Sequence, residues 1–292
     1  MRRDVAQPGS AHAWGAWGRR FKSSRPDHCF DGLSHLKQIL LTNDDGVHSA
    51  GLLALAKAFS TVGTVTLVAP DRERSASSQS LSLHRPVRFE EVAHGRFAVE
   101  GTPTDCVLIA LHHIMRLQPD LVISGINRGW NLGHDIAYSG TVSAALEAAN
   151  HDIPAVAVST ASWDELKLND AAEFVLTLAK RMWNEPLIKG HILNVNVPSK
   201  ETRGVRLTRQ GHRNVRTLVV ENKDPRGRKY FWFDQELQAE GLEDGPDVDY
   251  MAVKAGYISV TPLRIDRTAQ DCIGRLSAWP EALFKEKLSL IQ

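Results

Sequence analysis

The sequence predicts an α/β protein, a Rossmann-like, doubly wound and mostly parallel sheet with a projecting C-terminal hairpin or arm. Two observations predict the sheet. Short apolar runs of strand length alternate with segments of helical period over about 160 residues, and turn residues punctuate them throughout. A third observation predicts the arm. After Pro198 the texture changes to charged and aromatic stretches around Asp224-Pro225-Arg226-Gly227, a strong turn signal.

Organisation begins at Gln38. Ile39-Leu40-Leu41 reads as a buried strand, broken by Asn43-Asp44-Asp45-Gly46. Leu52, Leu53, Ala56 and Phe59 recur at helical spacing. Val65–Ala69 is the next strand, ended by Pro70-Asp71, and a polar stretch from Asp71 to Ser80 follows without period. Val87–Glu91 and Arg96–Glu100 form a hairpin that turns near His94-Gly95. Thr102-Pro103-Thr104-Asp105 carries helix-start chemistry, and Val107–Met115 continues that helix. Asp120–Ser124 is a buried strand that Gly125 breaks, so 125–138 reads as a Gly/Asn-rich loop. Ser139-Gly140-Thr141 opens the helix Val142–Asn150, and Pro154–Ser159 is a strand. Residues 163–183 are helical, with Leu166, Phe174, Leu178 and Met182 on one side, and Leu193–Val197 is a strand. Val205–Thr208 alternates like an edge strand. Residues 211–235, with the apolar patch Tyr230-Phe231-Trp232-Phe233, read as an arm that a partner subunit covers. Tyr257–Thr261 is the last strand, and a terminal helix lies near Trp279–Leu290.

The chain has 292 residues, 42% hydrophobic and 24% charged, enough to bury a sizeable core. A net charge of +1 gives no electrostatic argument for nucleic acid or a membrane surface. No apolar run approaches the ~20 residues of a membrane span, and a cytoplasmic location is expected. Cys29, Cys106 and Cys272 are too few and too scattered for a zinc site or a disulfide framework, so they read as idle thiols in a reducing compartment. Residues 1–38 carry seven Lys/Arg against three Asp/Glu, while the remainder carries 28 against 31. Residues 1–37 are expected to be a disordered or spurious extension of the α/β domain 38–292. They lack a secretory apolar core. An Arg-rich transit peptide is one reading. The preferred one is that Arg20–Ser23 and Arg25–His28 reflect translation of a neighbouring tRNA gene from an upstream start codon.

Ligands in open α/β sheets bind outside the carboxyl ends of the strands. Three polar clusters fall there: Asn43–Gly46; Asp71–Ser78; and Ser124–Asn127, extending through Asn131 to Ser139-Gly140-Thr141. Asp44 and Asp45 repel each other when both ionise and need a cation or strong donors nearby. Adjacent strand residues point to opposite faces, so both reach one ion only if the chain turns, which Gly46 permits. Oxygen donors favour a hard cation, Mg²⁺ or Mn²⁺, and Ser75 and Asn127 can add neutral oxygens. Backbone N–H groups at Ser139-Gly140-Thr141, with two hydroxyls and the helix dipole, make an anion site. A metal beside an anion site points to phosphate and metal-assisted hydrolysis. Haloacid-dehalogenase-type phosphatases separate their two Asp residues by one position, which does not match. Neither a dinucleotide-binding glycine fingerprint nor a P-loop is present. His48 and His134 read as solvated loop residues.

These motifs together resemble the SurE family of nucleotidases. The resemblance is carried by Leu40-Leu41-Thr42-Asn43-Asp44-Asp45-Gly46-Val47-His48, Val68–Arg72 with Arg74-Ser75, and Gly101–Val107. Ser124–Asn127 with Gly129, Asn131-Leu132-Gly133, Tyr138–Thr141, Asp224–Gly227 and Ser259–Leu263 complete it. It runs from about Ile39 to Leu276. It implies metal-dependent hydrolysis of nucleoside 5′- and 3′-monophosphates, with cleavage of short polyphosphate in some members. It implies one divalent ion per subunit, Mg²⁺ or Mn²⁺, held by Asp44, Asp45, Ser75 and Asn127. Phosphate contacts carry over to Asn131, Ser139, Gly140 and Thr141, and Asp44, Asp45 and Asn131 are the expected catalytic group. A homodimer or homotetramer through the arm, about residues 205–262, is implied as well. Arg128-Gly129-Trp130 departs from the family pattern, where many members have a small residue and then Pro. The alternative function is a nucleotide-binding regulatory module with negligible turnover, against which the intact acid pair argues.

Overall fold

The computed structural model describes residues 36–162, 164–212, 215–237, 245–281 and 283. The N-terminal extension expected over 1–37 lies outside the described residues up to His35, as does the terminal helix expected near Trp279–Leu290 beyond Leu283.

The strands are β1 (Lys37–Thr42), β2 (Gly63–Pro70), β3 (Phe89–Ala93), β4 (Arg96–Val99), β5 (Leu121–Arg128), β6 (Ala155–Thr160), β7 (His191–Val197), β8 (Gly204–Leu207) and β11 (Tyr257–Arg264), with a hairpin of β9 (Val215–Lys223) and β10 (Lys229–Leu237). The first group forms one sheet in the order β3-β4-β2-β1-β5-β6-β7-β11-β8. Its centre is parallel; β3 and β11 pair antiparallel with β4 and β7. The helices are α1 (Ala50–Phe59), α2 (Pro103–Ile109), α3 (Gly140–Asn150), α4 (Glu165–Asn184), α5 (Asp249–Lys254) and α6 (Gln270–Leu276).

Alternation along the buried strands sends successive side chains to opposite faces. Ile39 and Leu41 of β1 pack with α1 and α4 on one face, while Leu40 packs with α2 and α3 on the other. The sheet is therefore covered on both sides, as parallel sheets require. Helix α3 is buried from Gly140 to Ala149, and its small residues let it lie close against the sheet. Helix α2 starts on a reciprocal capping box between Thr102 and Asp105, as its sequence predicts.

Several expectations are corrected. Strand β5 does not stop at Gly125 but runs on to Arg128, with an irregularity between Ser124 and Asn127. A Cβ at Gly125 would lie 2.3 Å from the Val158 carbonyl oxygen, so this glycine serves a close approach between strands. The supposed loop 125–138 is thus the end of a strand followed by a 3₁₀ turn at Gly133–Ala137. Strand β11 passes through Pro262 to Arg264. Its pairing with β8 ends at Val260, so Pro262 sits where that side has no partner strand and its missing N–H costs no ladder bond. Leu166 is exposed. The buried stripe of α4 is Leu168, Ala171, Ala172, Val175, Ala179 and Met182, with Phe174 and Leu178 half-buried beside it. Helices α5 and α6 have no counterpart in the sequence reading.

The hairpin is present where the sequence places it. Asp224 accepts from the backbone of Arg226 and Arg228 and closes its turn. Strands β9 and β10 pair with each other apart from the main sheet. Val219, Phe231, Trp232 and Phe233 on them are exposed. Among the described residues no helix is long and apolar enough to cross a membrane. Cys106 is buried and Cys272 exposed, both as free thiols, and burial pushes the Cys106 thiol well up.

Candidate active site

The carboxyl end of β1 opens into a turn that Asn43 closes. Its Nδ2 donates to the Gly46 carbonyl (3.1 Å) and to Ser49 Oγ (2.6 Å), and its Oδ1 accepts from Gly46 N–H (3.1 Å). Gly46 adopts φ +102°, which only glycine tolerates without strain. Ser49 in turn caps α1. This turn breaks the strand alternation just past the end of β1, where Asp44 and Asp45 lie.

Asp44 is buried and faces the start of α3. Thr141 donates to it twice, from Oγ1 to Oδ1 (2.5 Å) and from N–H to Oδ2 (3.2 Å). Burial pushes the Asp44 carboxyl up, and the Thr141 bonds pull against that. Asp45 accepts from Arg128 N–H at 3.3 Å, tying it to the end of β5. Burial, then repulsion from Asp44, pushes Asp45 up to about 6. Burial raises both acids and the charge of Glu73 adds to it, so a cation beside them would favour their ionised forms.

The neighbouring groups fit a hard divalent cation. Asp45, Glu73, Asn127, Arg128 and Ser49 line one cavity of about 210 Å³. Asn127 Nδ2 donates to the Gly129 carbonyl (2.9 Å), which leaves Oδ1 as its free acceptor. Ser75 Oγ donates to Glu73 Oε1 (2.6 Å), which leaves its lone pairs for another partner. The Asp44 carbonyl accepts from Arg74 N–H (2.7 Å), anchoring the 71–78 segment beside the acid pair. All four expected ligands thus offer oxygen, the donor type that Mg²⁺ and Mn²⁺ take.

The anion side is built on α3. Ser139 caps the helix by accepting from Val142 N–H (3.1 Å). A Cβ on Gly140 would lie 2.9 Å from Asp44 Cβ and Oδ2, so the helix start reaches the acid pair only with glycine there. Asn131 is buried and fixed. Its N–H donates to Asn196 Oδ1 (2.8 Å), its Nδ2 to Ser159 Oγ (2.8 Å), and its carbonyl accepts from Asn194 (2.9 Å) and Asn196 (3.1 Å). His48 and His134 are exposed, as solvated loop histidines are.

Sequence reasoning gave no role to Asn43, Glu73, Ser159, Asn194 or Asn196. A signal existed for the last two. They share one face of the otherwise apolar β7, and two buried asparagines there need a polar partner.

The fold and site define the class: a doubly wound α/β protein with an acid pair beside a helix N-terminus at the carboxyl edge of its sheet. The model of the family described as Survival protein SurE matches residues 39–217. The chain belongs to the SurE family. It is 49% identical over 243 residues to the 5′-nucleotidase SurE of Syntrophotalea carbinolica, covering 82% of this chain and 96% of that protein. It is 45% identical over 246 residues to the 5′/3′-nucleotidase SurE of Cronobacter sakazakii, covering 83% and 96%. The crystal structure of the SurE protein from Aquifex aeolicus matches with a TM-score of 0.73 at 37% identity, covering 84% of this chain and 99% of that one.

Proposed function

We propose that the chain is a divalent-metal-dependent phosphomonoesterase that hydrolyses nucleoside 5′- and 3′-monophosphates to nucleoside and phosphate. The observation that carries this is Asp44, an acid held in place by the first turn of α3 and adjoined by Asp45. The names of the two relatives, a 5′-nucleotidase and a 5′/3′-nucleotidase, supply the substrate class.

In this reading Asp44, Asp45, Ser75 and Asn127 hold one Mg²⁺ or Mn²⁺ per subunit. The bound ion supplies Lewis acidity toward a phosphoryl oxygen and toward water. Thr141 keeps the Asp44 carboxyl aimed, and its two bonds oppose the upward push of burial. Asn131, immobilised by Ser159, Asn194 and Asn196, offers its amide to a phosphate oxygen without reorganising. Ser139, Gly140 and Thr141 present the positive end of the α3 dipole to the charge that develops there. Asp44, Asp45 and Asn131 form the catalytic group. The arm residues Phe231, Trp232 and Phe233 favour a homodimer or homotetramer, and the working location is the cytoplasm.

The test is phosphate release by purified protein from a panel of nucleoside 5′- and 3′-monophosphates and short polyphosphate, with EDTA or with added Mg²⁺ or Mn²⁺. Release that needs the ion and runs on the monophosphates supports the reading. Tight nucleotide binding with no release in any condition replaces it with a regulatory binding module.

A further inference from the structure

The 71–78 segment carries a hydroxyl that the site as described does not use. The hydroxyl oxygen of Ser77 is enclosed and has no hydrogen-bond partner. An unpaired buried hydroxyl is costly, so such a group in a folded protein calls for a partner. Its position indicates which. A Cβ on Gly140 would lie 2.7 Å from Ser77 Oγ and 2.9 Å from Asp44 Oδ2, so the hydroxyl sits over the first residue of α3, beside the acid pair.

The chain holds Ser77 there at some expense. Ala76 and Ser78, on either side, adopt φ +54° and +50°, a region non-glycine residues rarely enter. Ser78 is fixed in that state by its N–H and Oγ, which donate to the carbonyls of Tyr138 (3.1 Å) and Ala137 (3.1 Å) just before α3. Two strained residues and two anchoring bonds thus press the Ser77 hydroxyl against the helix start. Of the two hydroxyls on the helix start itself, Ser139 Oγ accepts from Val142 N–H and Thr141 Oγ1 is committed to Asp44.

We propose that Ser77 is a further phosphate-binding residue, its hydroxyl donating to an oxygen of the phosphoryl group seated at the N-terminus of α3. This rests on the phosphomonoesterase reading above. It divides labour at the helix start: Thr141 holds the acid, and Ser77 meets the anion.

The experiment titrates inorganic phosphate into the Mn²⁺-loaded full chain, wild type, Ser77→Ala and Ser77→Cys, and measures Mn²⁺ affinity and ligand-free melting temperature beside it. Both variants should weaken phosphate about tenfold, the size of one lost bond to a charged group. KM for a nucleoside monophosphate should rise with it, while Mn²⁺ affinity holds. Removing an unsatisfied hydroxyl should leave the ligand-free melting temperature of Ser77→Ala unchanged or higher. Ser77→Cys puts a larger, weakly donating thiol where Ser77→Ala leaves space, so agreement of the two variants separates lost bonding from altered packing. Phosphate affinity within twofold of wild type in the variants overturns the assignment to Ser77 alone. A parallel fall in Mn²⁺ affinity also overturns it, by placing Ser77 on the cation. Wild-type protein that binds no phosphate in the presence of Mn²⁺ overturns both this assignment and the phosphomonoesterase reading.

Discussion

Asp45 carries the clearest single-residue consequence. Its pKa is raised to about 6 by burial and by Asp44, so the folded, metal-free protein holds a proton that the unfolded chain releases near 4. Folded protein therefore binds more protons between these values, and its metal-free stability falls as pH rises from about 4 to about 6. A divalent cation competes for the same oxygens. Mn²⁺ affinity should accordingly weaken by up to about tenfold per pH unit below 6, which calorimetric titration at pH 5, 6 and 7 checks. A flat profile would mean that Asp45 does not ligate the ion. The acid pair itself was legible in the sequence, because two adjacent carboxylates after a buried strand demand compensation. Its partner was not. Thr141 lies 97 residues from Asp44, and nothing local reveals that the helix start is docked on an acid.

At the scale of elements, the junction between the end of β1 and the start of α3 governs the site. Gly140→Ala sets two effects against each other. Alanine favours a helix by up to ~1 kcal/mol, whereas a Cβ at 2.9 Å from Asp44 and 2.7 Å from Ser77 Oγ over-packs the junction, typically costing about 1–3 kcal/mol. The clash wins, so a lowered urea midpoint and a reduced kcat are expected; a more stable, fully active variant would contradict the junction. Thr141→Val deletes the 2.5 Å bond to Asp44 while keeping the shape. It should raise the Asp44 pKa further and weaken Mn²⁺ roughly tenfold at neutral pH, the size of one charge-assisted bond, readable in the same titration. Buried strands and their turn residues were legible from apolar runs and from Gly, Asp and Pro. Strand β5 was cut short at Gly125 because a glycine in a strand looks like a break, and only the packing of Val158 shows it to be a close approach. Helix α5 was missed because its six residues are too few to establish a period.

For the whole molecule, the doubly wound plan followed from alternation alone, since a sheet buried on both faces needs helices on both. The hairpin also followed, from a turn signal between β-rich, aromatic runs. Phe231, Trp232 and Phe233 are 51%, 64% and 75% exposed, more apolar surface than one hairpin leaves bare without cause. Phe231→Asp with Phe233→Asp should shift the protein to a smaller species by light scattering while retaining its far-ultraviolet dichroism; an unchanged mass would detach the arm from assembly.

The most direct measurement is the rate of phosphate release from a nucleoside 5′-monophosphate with saturating Mn²⁺, compared between the wild-type chain and Asp44→Asn. The wild type should turn over only with the ion. The variant should fold yet lose roughly a thousandfold or more in kcat, the several kcal/mol that a metal supplies to the transition state. Full turnover by the folded variant, or equal wild-type turnover in EDTA, would contradict a metal held by the acid pair.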